Sequence, residues 1–216
     1  RGVRFLMLGV LVGLKQEARI IRRFLPDAPI AISNANAEGA TRGAAALLRL
    51  GATKLLSFGC AGGLSSSVQP GTVIVADHIH VDGKNVPTDQ ILSARFCAHH
   101  ARQGGILHSD IMIAEAEEKQ QLYRETRCVA VDMESGVLAR TGLPFAVLRV
   151  VCDDFAKDLP PAARVALSNG SVQVTALTRS LVRHPRQIGA LITLGADAAK
   201  AQKAISLFLE AHPPQA

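Results

Sequence analysis

The sequence predicts an α/β fold, a single-domain three-layer αβα sandwich over residues 1–216. Three observations lead to it. Short apolar runs alternate along the chain with stretches whose apolar residues recur at helical spacing. The first run, residues 5–12, reads as a continuous apolar strand, the pattern of a strand covered on both faces. Finally, 48% of the 216 residues are hydrophobic, enough for a sizeable core; only 4% are aromatic and none is Trp, so that core is aliphatic.

In chain order, the first strand turns at Gly13-Leu14. Residues 15–24 then carry helical spacing at Ala18, Ile21 and Leu25 until Pro26 stops the helix. Glu17 therefore sits where the first helix opens, beyond the C-terminal end of a strand. Ile30-Ala31-Ile32 is a second short strand, followed by a loop over 34–38 and a small-residue helix over 39–50 that Gly51 caps. Residues 54–58 form a third strand leading into a glycine-rich loop, and 72–76 is a β-branched strand. Residues 77–103 are less regular and hold Pro87, His78, His80, His99 and His100. A strand over 105–108 and a charged surface helix over 114–126 come next, and strands over 129–132 and 145–152 complete the sheet. Helices over 162–181 and 188–211, separated by His184-Pro185, close the chain.

The formal charge is +6, from 24 basic against 18 acidic residues, with clusters at Arg22-Arg23 and around Arg179, Arg183 and Arg186. A nucleic-acid reader would combine a basic stripe with base-stacking aromatics, and that combination is missing. The charge fits solubility, or attraction to an anionic substrate or a membrane surface. The four cysteines, Cys60, Cys97, Cys128 and Cys152, contain no C-x-x-C pair. That argues against a disulfide framework or a zinc site and for a reducing, cytoplasmic compartment. The histidine spacing supports no metal site either. The apolar run 5–14 is too short to span a membrane and reads as a buried strand. Gly83-Lys84 is followed by Asn85, so there is no P-loop, and no G-x-G-x-x-G is present.

The chemistry gathers around Ala130-Val131-Asp132-Met133-Glu134-Ser135, which runs from a strand into the helix-like stretch Gly136-Val137-Leu138-Ala139-Arg140. A carboxylate at such a handover lies at the mouth of the sheet, where open α/β folds bind ligands. Glu134 alone would most simply place charge in a helix's first turn. Two distant stretches change that reading. Gly59-Cys60-Ala61-Gly62-Gly63-Leu64 is similar to the G-S-A-G-G-L loop of the nucleoside phosphorylase/nucleosidase superfamily, which includes the methylthioadenosine/S-adenosylhomocysteine nucleosidases. Ala130-Val131-Asp132-Met133-Glu134 resembles its A-V-x-M-E ribose-binding segment, and Arg149-Val150-Val151-Cys152-Asp153 its R-x-x-S-D catalytic strand. His108-Ser109-Asp110-Ile111-Met112-Ile113 resembles the S-G-D-x-F-I segment that holds the purine, with Met112 where the family often has Phe. Order and separations agree over nearly the whole chain. The resemblance implies a mixed central sheet, cleavage of a purine N-ribosyl bond, a small-molecule nucleoside as partner, no cofactor, and a homodimer or higher homo-oligomer.

It also implies roles. Asp153 is the general acid that protonates purine N7, an effect worth about 10²–10⁴ in rate. Side chains alternate along a strand, so Asp153 and Asp154 face opposite ways; Asp154 suits a cap of the next turn. Glu134 accepts the ribose hydroxyls and favours positive charge at the anomeric carbon, and Met133 packs on the sugar or simply in the core. Met112, Ile113 and Asp153 contact the base. Cys60, Ala61 and Gly62 form the loop that faces nucleophile or phosphate, its glycines allowing close backbone approach.

Two nucleophiles remain open. In the hydrolytic branch a Glu after the first strand helps activate water, and Glu17 resembles it with spacing one residue shorter. In the phosphorolytic branch an Arg usually precedes the glycine loop; here Ser57-Phe58 stands there, Cys60 replaces the usual Ser, and Arg42 is the remaining candidate phosphate ligand. Gly13-Leu14-x-x-Glu17-Ala18-Arg19, Ser57-Phe58-Gly59-x-Ala61-Gly62-Gly63-Leu64 and the run around Arg183-His184-Pro185 resemble the hopanoid-associated phosphorylase branch. That branch implies a lipid-linked adenine nucleoside, adenosylhopane, with a peripheral membrane contact and phosphate as a candidate co-substrate. Competing classes fit less well. A nicotinamide-dependent oxidoreductase lacks its glycine fingerprint, and a non-catalytic nucleoside-binding module has no need of Asp153. A general purine nucleoside phosphorylase or a methylthioadenosine nucleosidase stays open.

Overall fold

The computed structural model describes residues 7–161, 163 and 188–214. Its frame is a mixed sheet of eight strands: β1 (Leu8–Val12), β2 (Ile30–Ile32), β3 (Lys54–Gly63), β4 (Val73–Val81), β5 (Lys84–Pro87), β6 (Arg102–His108), β7 (Ala130–Asp132) and β8 (Phe145–Asp153). The spatial order is β2-β1-β3-β7-β6-β4-β5, and β8 pairs with both β3 and β4. β3, β7, β6, β4 and β8 therefore close a ring, from which β1–β2 extend on one side and β5 on the other. β8 runs parallel to β3 and antiparallel to β4, and β7 runs antiparallel to β3, so the sheet is mixed as expected.

The helices form two layers around it. α2 (Ala37–Arg49) and α5 (Ser135–Ala139) press Ala40, Ala44, Leu47, Val137 and Leu138 against one face. α1 (Lys15–Arg22), α3 (Gln90–Ala94) and α6 (Ile188–Ala211) press Ile21, Leu92, Ala201, Ile205 and Leu209 against the other. Each fully buried Leu or Ile among them contributes about 1.5–3 kcal/mol, and each Ala less. Local chemistry sets the helix ends. Asn36 caps α2 by accepting the Gly39 N–H at 2.7 Å, and Gly51, with φ +90°, turns the chain out of it. α4 (Ala116–Thr126) stops at Arg127 in the left-handed region, φ 60°.

The sequence-level bounds hold for β2 and α6 and shift by a few residues elsewhere. Two readings need correcting. Cys60, Ala61 and Gly62 do not lie in a loop. β3 continues through them to Gly63, because their backbone pairs with β8 and then, past a register shift at Ala61/Gly62, with β7. The stretch over 77–103 is more regular than its mixed composition suggests; it carries the end of β4, β5, α3 and a short 3₁₀ turn. Of the helix expected over 162–181, all but residue 163 lies outside the described residues, as does Arg183-His184-Pro185.

Candidate functional site

β8 carries both Arg149 and Asp153, with a register shift against β3 at Cys152 between them. Arg149 is 1% exposed and ties three elements together. Its Nε donates to Asp132 Oδ2 at 2.7 Å, and its Nη2 donates to Ser57 Oγ at 2.6 Å and to Glu134 Oε2 at 3.0 Å. Asp132 ends β7 and also receives the Ser135 N–H at 3.1 Å and the Ser135 hydroxyl, which fixes the entry to α5. Glu134 stands between β7 and α5, and its other oxygen accepts the Ser33 hydroxyl at 2.7 Å from the end of β2.

Glu17 meets this cluster from the first turn of α1. Its Oε2 accepts the N–H groups of Gly13 and Leu14, both at 2.8 Å, and its Oε1 accepts the Cys60 N–H at 2.7 Å. A methyl group on Gly13 would lie 3.2 Å from both the Glu17 and the Glu134 carboxylates, so the two acids are neighbours. At Gly59, with φ +148°, a methyl group would sit 2.5 Å from the Glu17 carboxyl carbon; glycine here is what lets the acid reach the strand. Three buried carboxylates, Glu17, Asp132 and Glu134, thus surround one guanidinium. Burial raises the Glu134 pKa above the ordinary carboxylate range, with Asp132 and Glu17 adding to the rise and Arg149 opposing it. Burial also opposes the Arg149 charge, but Asp132, Glu134 and Glu17 outweigh it and hold the guanidinium more firmly protonated than usual.

Asp153, 7% exposed, forms a second centre. Its Oδ2 is paired with Lys119 Nζ from α4, and its Oδ1 would lie 3.1 Å from a methyl group at Gly62. Burial raises the Asp153 pKa, while Lys119 opposes the rise. Cys60 and Cys152 join the two centres. The Cys60 amide holds Glu17, the two thiols are neighbours, and the Cys152 thiol points at Asp153 Oδ1 at 3.7 Å. A cavity of about 320 Å³ opens beside Asp153, with Asp154, Leu159, Pro160, Ala190 and Leu194 also in its wall.

The residues singled out in the sequence fall into three groups. Glu17, Glu134, Asp153, Cys60 and Gly62 converge as described. Met133 is half-buried in the turn between β7 and α5, and Met112 is half-buried after β6. Ile113 packs into a core cluster with Leu64, Leu107, Cys128 and Val131, which places it beside the glycine-rich strand end. Asp154 is 29% exposed in its side chain and caps the next turn through the Ala156 N–H at 3.0 Å, as its position suggested. Arg42 pairs with Glu38 on the exposed side of α2. Sequence reasoning quoted Arg149, Asp132 and Ser57 within its motifs but gave them no role, and it passed over Ser33 and Lys119. A charge inside the apolar run 145–151 was the available signal for Arg149. Nothing in the charged pattern of 116–126 distinguishes Lys119 from its exposed neighbours.

The family model of the phosphorylase superfamily matches residues 14–180. No curated protein matches the chain by sequence. Among solved structures, the futalosine hydrolase of Helicobacter pylori is similar at 21% identity and TM-score 0.62, covering 84% of this chain and 99% of its own. The 5′-methylthioadenosine/S-adenosylhomocysteine nucleosidase of Helicobacter pylori, in complex with butyl-thio-DADMe-Immucillin-A, is similar at 18% identity and TM-score 0.63, covering 96% of this chain and 99% of its own. The enzyme of the same name from Neisseria meningitidis, in complex with methylthio-immucillin-A, is similar at 18% identity and TM-score 0.64, covering 96% and 100%.

Proposed function

Since the chain belongs to the phosphorylase superfamily, we propose that its site cleaves the N-ribosyl bond of an adenine nucleoside carrying a bulky 5′ substituent, with water as the nucleophile. The observation that carries this reading is the separation of two acid environments at one sheet mouth. Glu134 sits in a cluster with net negative charge, suited to a sugar that becomes cationic. Asp153 sits apart in a buried place that favours a protonated carboxyl, suited to a leaving base.

Lone-pair counting supports the roles. A carboxylate offers about four acceptor sites. Glu134 spends two, on Ser33 and Arg149, which leaves two for the adjacent 2′- and 3′-hydroxyls. Glu17 spends three on backbone N–H groups, which leaves one for a water. The same count disfavours phosphate. The amides of Gly13, Leu14 and Cys60 are already occupied by a carboxylate, and Arg149 is already shared among Asp132, Glu134 and Ser57. The motif likeness to the hopanoid-associated branch selects adenosylhopane as substrate and leaves room for a homo-oligomer that touches the membrane peripherally. Among the described residues no helix is long and apolar enough to cross a membrane.

Incubation with adenosine, methylthioadenosine and adenosylhopane, with and without phosphate, tests the reading. Free ribosyl sugar is the expected product, and Glu17→Gln is expected to abolish it. A ribose 1-phosphate derivative that grows with added phosphate and is insensitive to Glu17→Gln would replace water by phosphate. Absence of adenine from every substrate would remove the adenine reading altogether.

Glu134→Gln removes the anionic acceptor. The expected result is a loss of about ten- to a hundredfold in turnover of ribonucleosides, the worth of a charge-assisted hydrogen bond. The loss should be smaller for 2′-deoxynucleosides, and equal losses on both would show that Glu134 does not touch the 2′-hydroxyl.

A further inference from the structure

α4 is an exposed, charged helix whose buried residue is Lys119. Lys119 is 0% exposed, and its ammonium has three partners: the Asp153 carboxylate, the Asp154 carbonyl at 3.1 Å and the Lys157 carbonyl at 3.2 Å. Two further hydrogen bonds tie the start of α4 to the chain just beyond those partners. The Ala116 N–H donates to Asp158 Oδ1 at 2.8 Å, and the Leu159 N–H donates to the Ala114 carbonyl at 2.8 Å. A helix that docks through a lysine forgoes the apolar burial a leucine would give and desolvates a charge as well. The position of that charge is the gain.

We propose that Lys119 is a positioning residue that sets both the orientation and the acid strength of Asp153. This rests on the N-ribosyl cleavage proposed above. Lys119 holds Oδ2, so Oδ1 is the oxygen left to face Gly62 and the strand ends where Glu134 and Glu17 lie. In the reaction, the Asp153 carboxyl gives its proton to base N7 and the C1′–N9 electron pair passes to the base, which departs neutral. The ribosyl cation is taken by water, whose proton passes by way of Glu17 to solvent. Asp153 is left as a carboxylate paired with the Lys119 ammonium, and solvent later returns its proton. Burial alone would make Asp153 too weak an acid, because its anion would stand unpaired in a desolvated site; Lys119 stabilises that anion. Other titratable groups around Asp153 are Cys152 on its own strand, Asp154 just beyond it, answered by Lys157 at 3.6 Å, and, in the wall of the shared cavity, Asp158 and Asp197 of α6.

Lys119→Gln keeps a donor for the two carbonyls and removes the charge; Lys119→Met removes both. In either variant kcat is expected to fall about ten- to a hundredfold, with KM changed far less. The alkaline limb of the kcat/KM profile is expected to move up by about one pH unit or more, because the unpaired carboxyl keeps its proton longer. A lysine that only held the loop would lower activity without moving the limb, and an unmoved limb in Lys119→Gln overturns the proposal. A second readout needs no turnover. The Asp153 side-chain carboxyl, assigned by ¹³C NMR against Asp153→Asn, should titrate higher in Lys119→Gln than in the unaltered protein. If it titrates at the same pH the proposal fails, even where a substrate is cleaved; if it moves and no nucleoside is cleaved, the reaction assignment fails instead. Should neither variant fold, the unaltered protein decides: the Lys119 ¹⁵Nζ shift should follow the Asp153 midpoint, and independence of the two overturns the pairing.

Discussion

Replacing Asp153 by Asn is expected to leave the fold in place and to reduce adenine release by about 10²–10⁴-fold. An amide has the shape of the carboxyl and can still offer its carbonyl to Lys119, which also keeps the Asp154 and Lys157 carbonyls as acceptors. What it lacks is a proton acidic enough to pass to N7. Asp154→Asn is the matched control. That carboxylate caps a turn from a partly exposed position, and its loss should cost little activity. Adenine release followed at equal protein concentration separates the two. Equal activity in both variants, or an essential Asp154, would move the acid off β8.

The second large effect is on stability. Arg149→Met keeps the bulk of the side chain inside the sheet mouth and removes the cation shared by Asp132 and Glu134. Breaking a buried pair by deleting one partner costs about 3–5 kcal/mol, because the remaining charges stay desolvated and unpaired. Here two carboxylates lose their partner, with Glu17 beside them. Arg149→Lys should rescue only part of the loss, since one ammonium cannot match the fork that reaches Asp132, Ser57 and Glu134 together. The pH dependence has a definite sign. Burial already raises the Glu134 pKa and Arg149 opposes that rise. Without the guanidinium the folded-state pKa of Glu134 therefore rises further above its unfolded value. The folded variant then binds more protons and its stability increases as pH falls. Urea unfolding of Arg149→Met should therefore show a smaller deficit near pH 5 than near pH 8. A deficit that is the same at both would mean that the loss is one of packing.

Much of this was legible in the chain. Glu17, Glu134 and Asp153 lie in short segments whose spacing is local, and local spacing survives without knowledge of strand order. The helix and strand positions followed from apolar period for the same reason. The glycine-rich segment was misread as a loop because glycines in a row usually mark a turn, whereas here they make room for neighbouring groups along a strand. Gly59 makes room for the Glu17 carboxylate, and Gly62 and Gly63 lie against Asp153 and its backbone, all within a continuing strand. Ser33, Ser57 and Lys119 were invisible because their importance comes from partners 101, 92 and 34 positions away. The closed ring of strands was hidden too, since β8 (Phe145–Asp153) returns between β3 (Lys54–Gly63) and β4 (Val73–Val81), which are laid down far earlier in the chain.

That return bears on how the protein comes off the ribosome. Until β8 has been synthesised, β3 from Leu55 to Ala61 and β4 from Val73 to Val75 each lack a pairing partner on the side that β8 fills. Both are largely buried and apolar in the finished sheet, the kind of bare strand flank that recruits other chains. Once β8 is in place, the terminal strands of the sheet are β2, three residues long, and β5, four residues long with Lys84 and Pro87 at its ends. Among the described residues the finished sheet is thus well defended against strand addition, and the nascent chain is exposed to it. Self-association should be greatest for chains halted between residues 82 and 144.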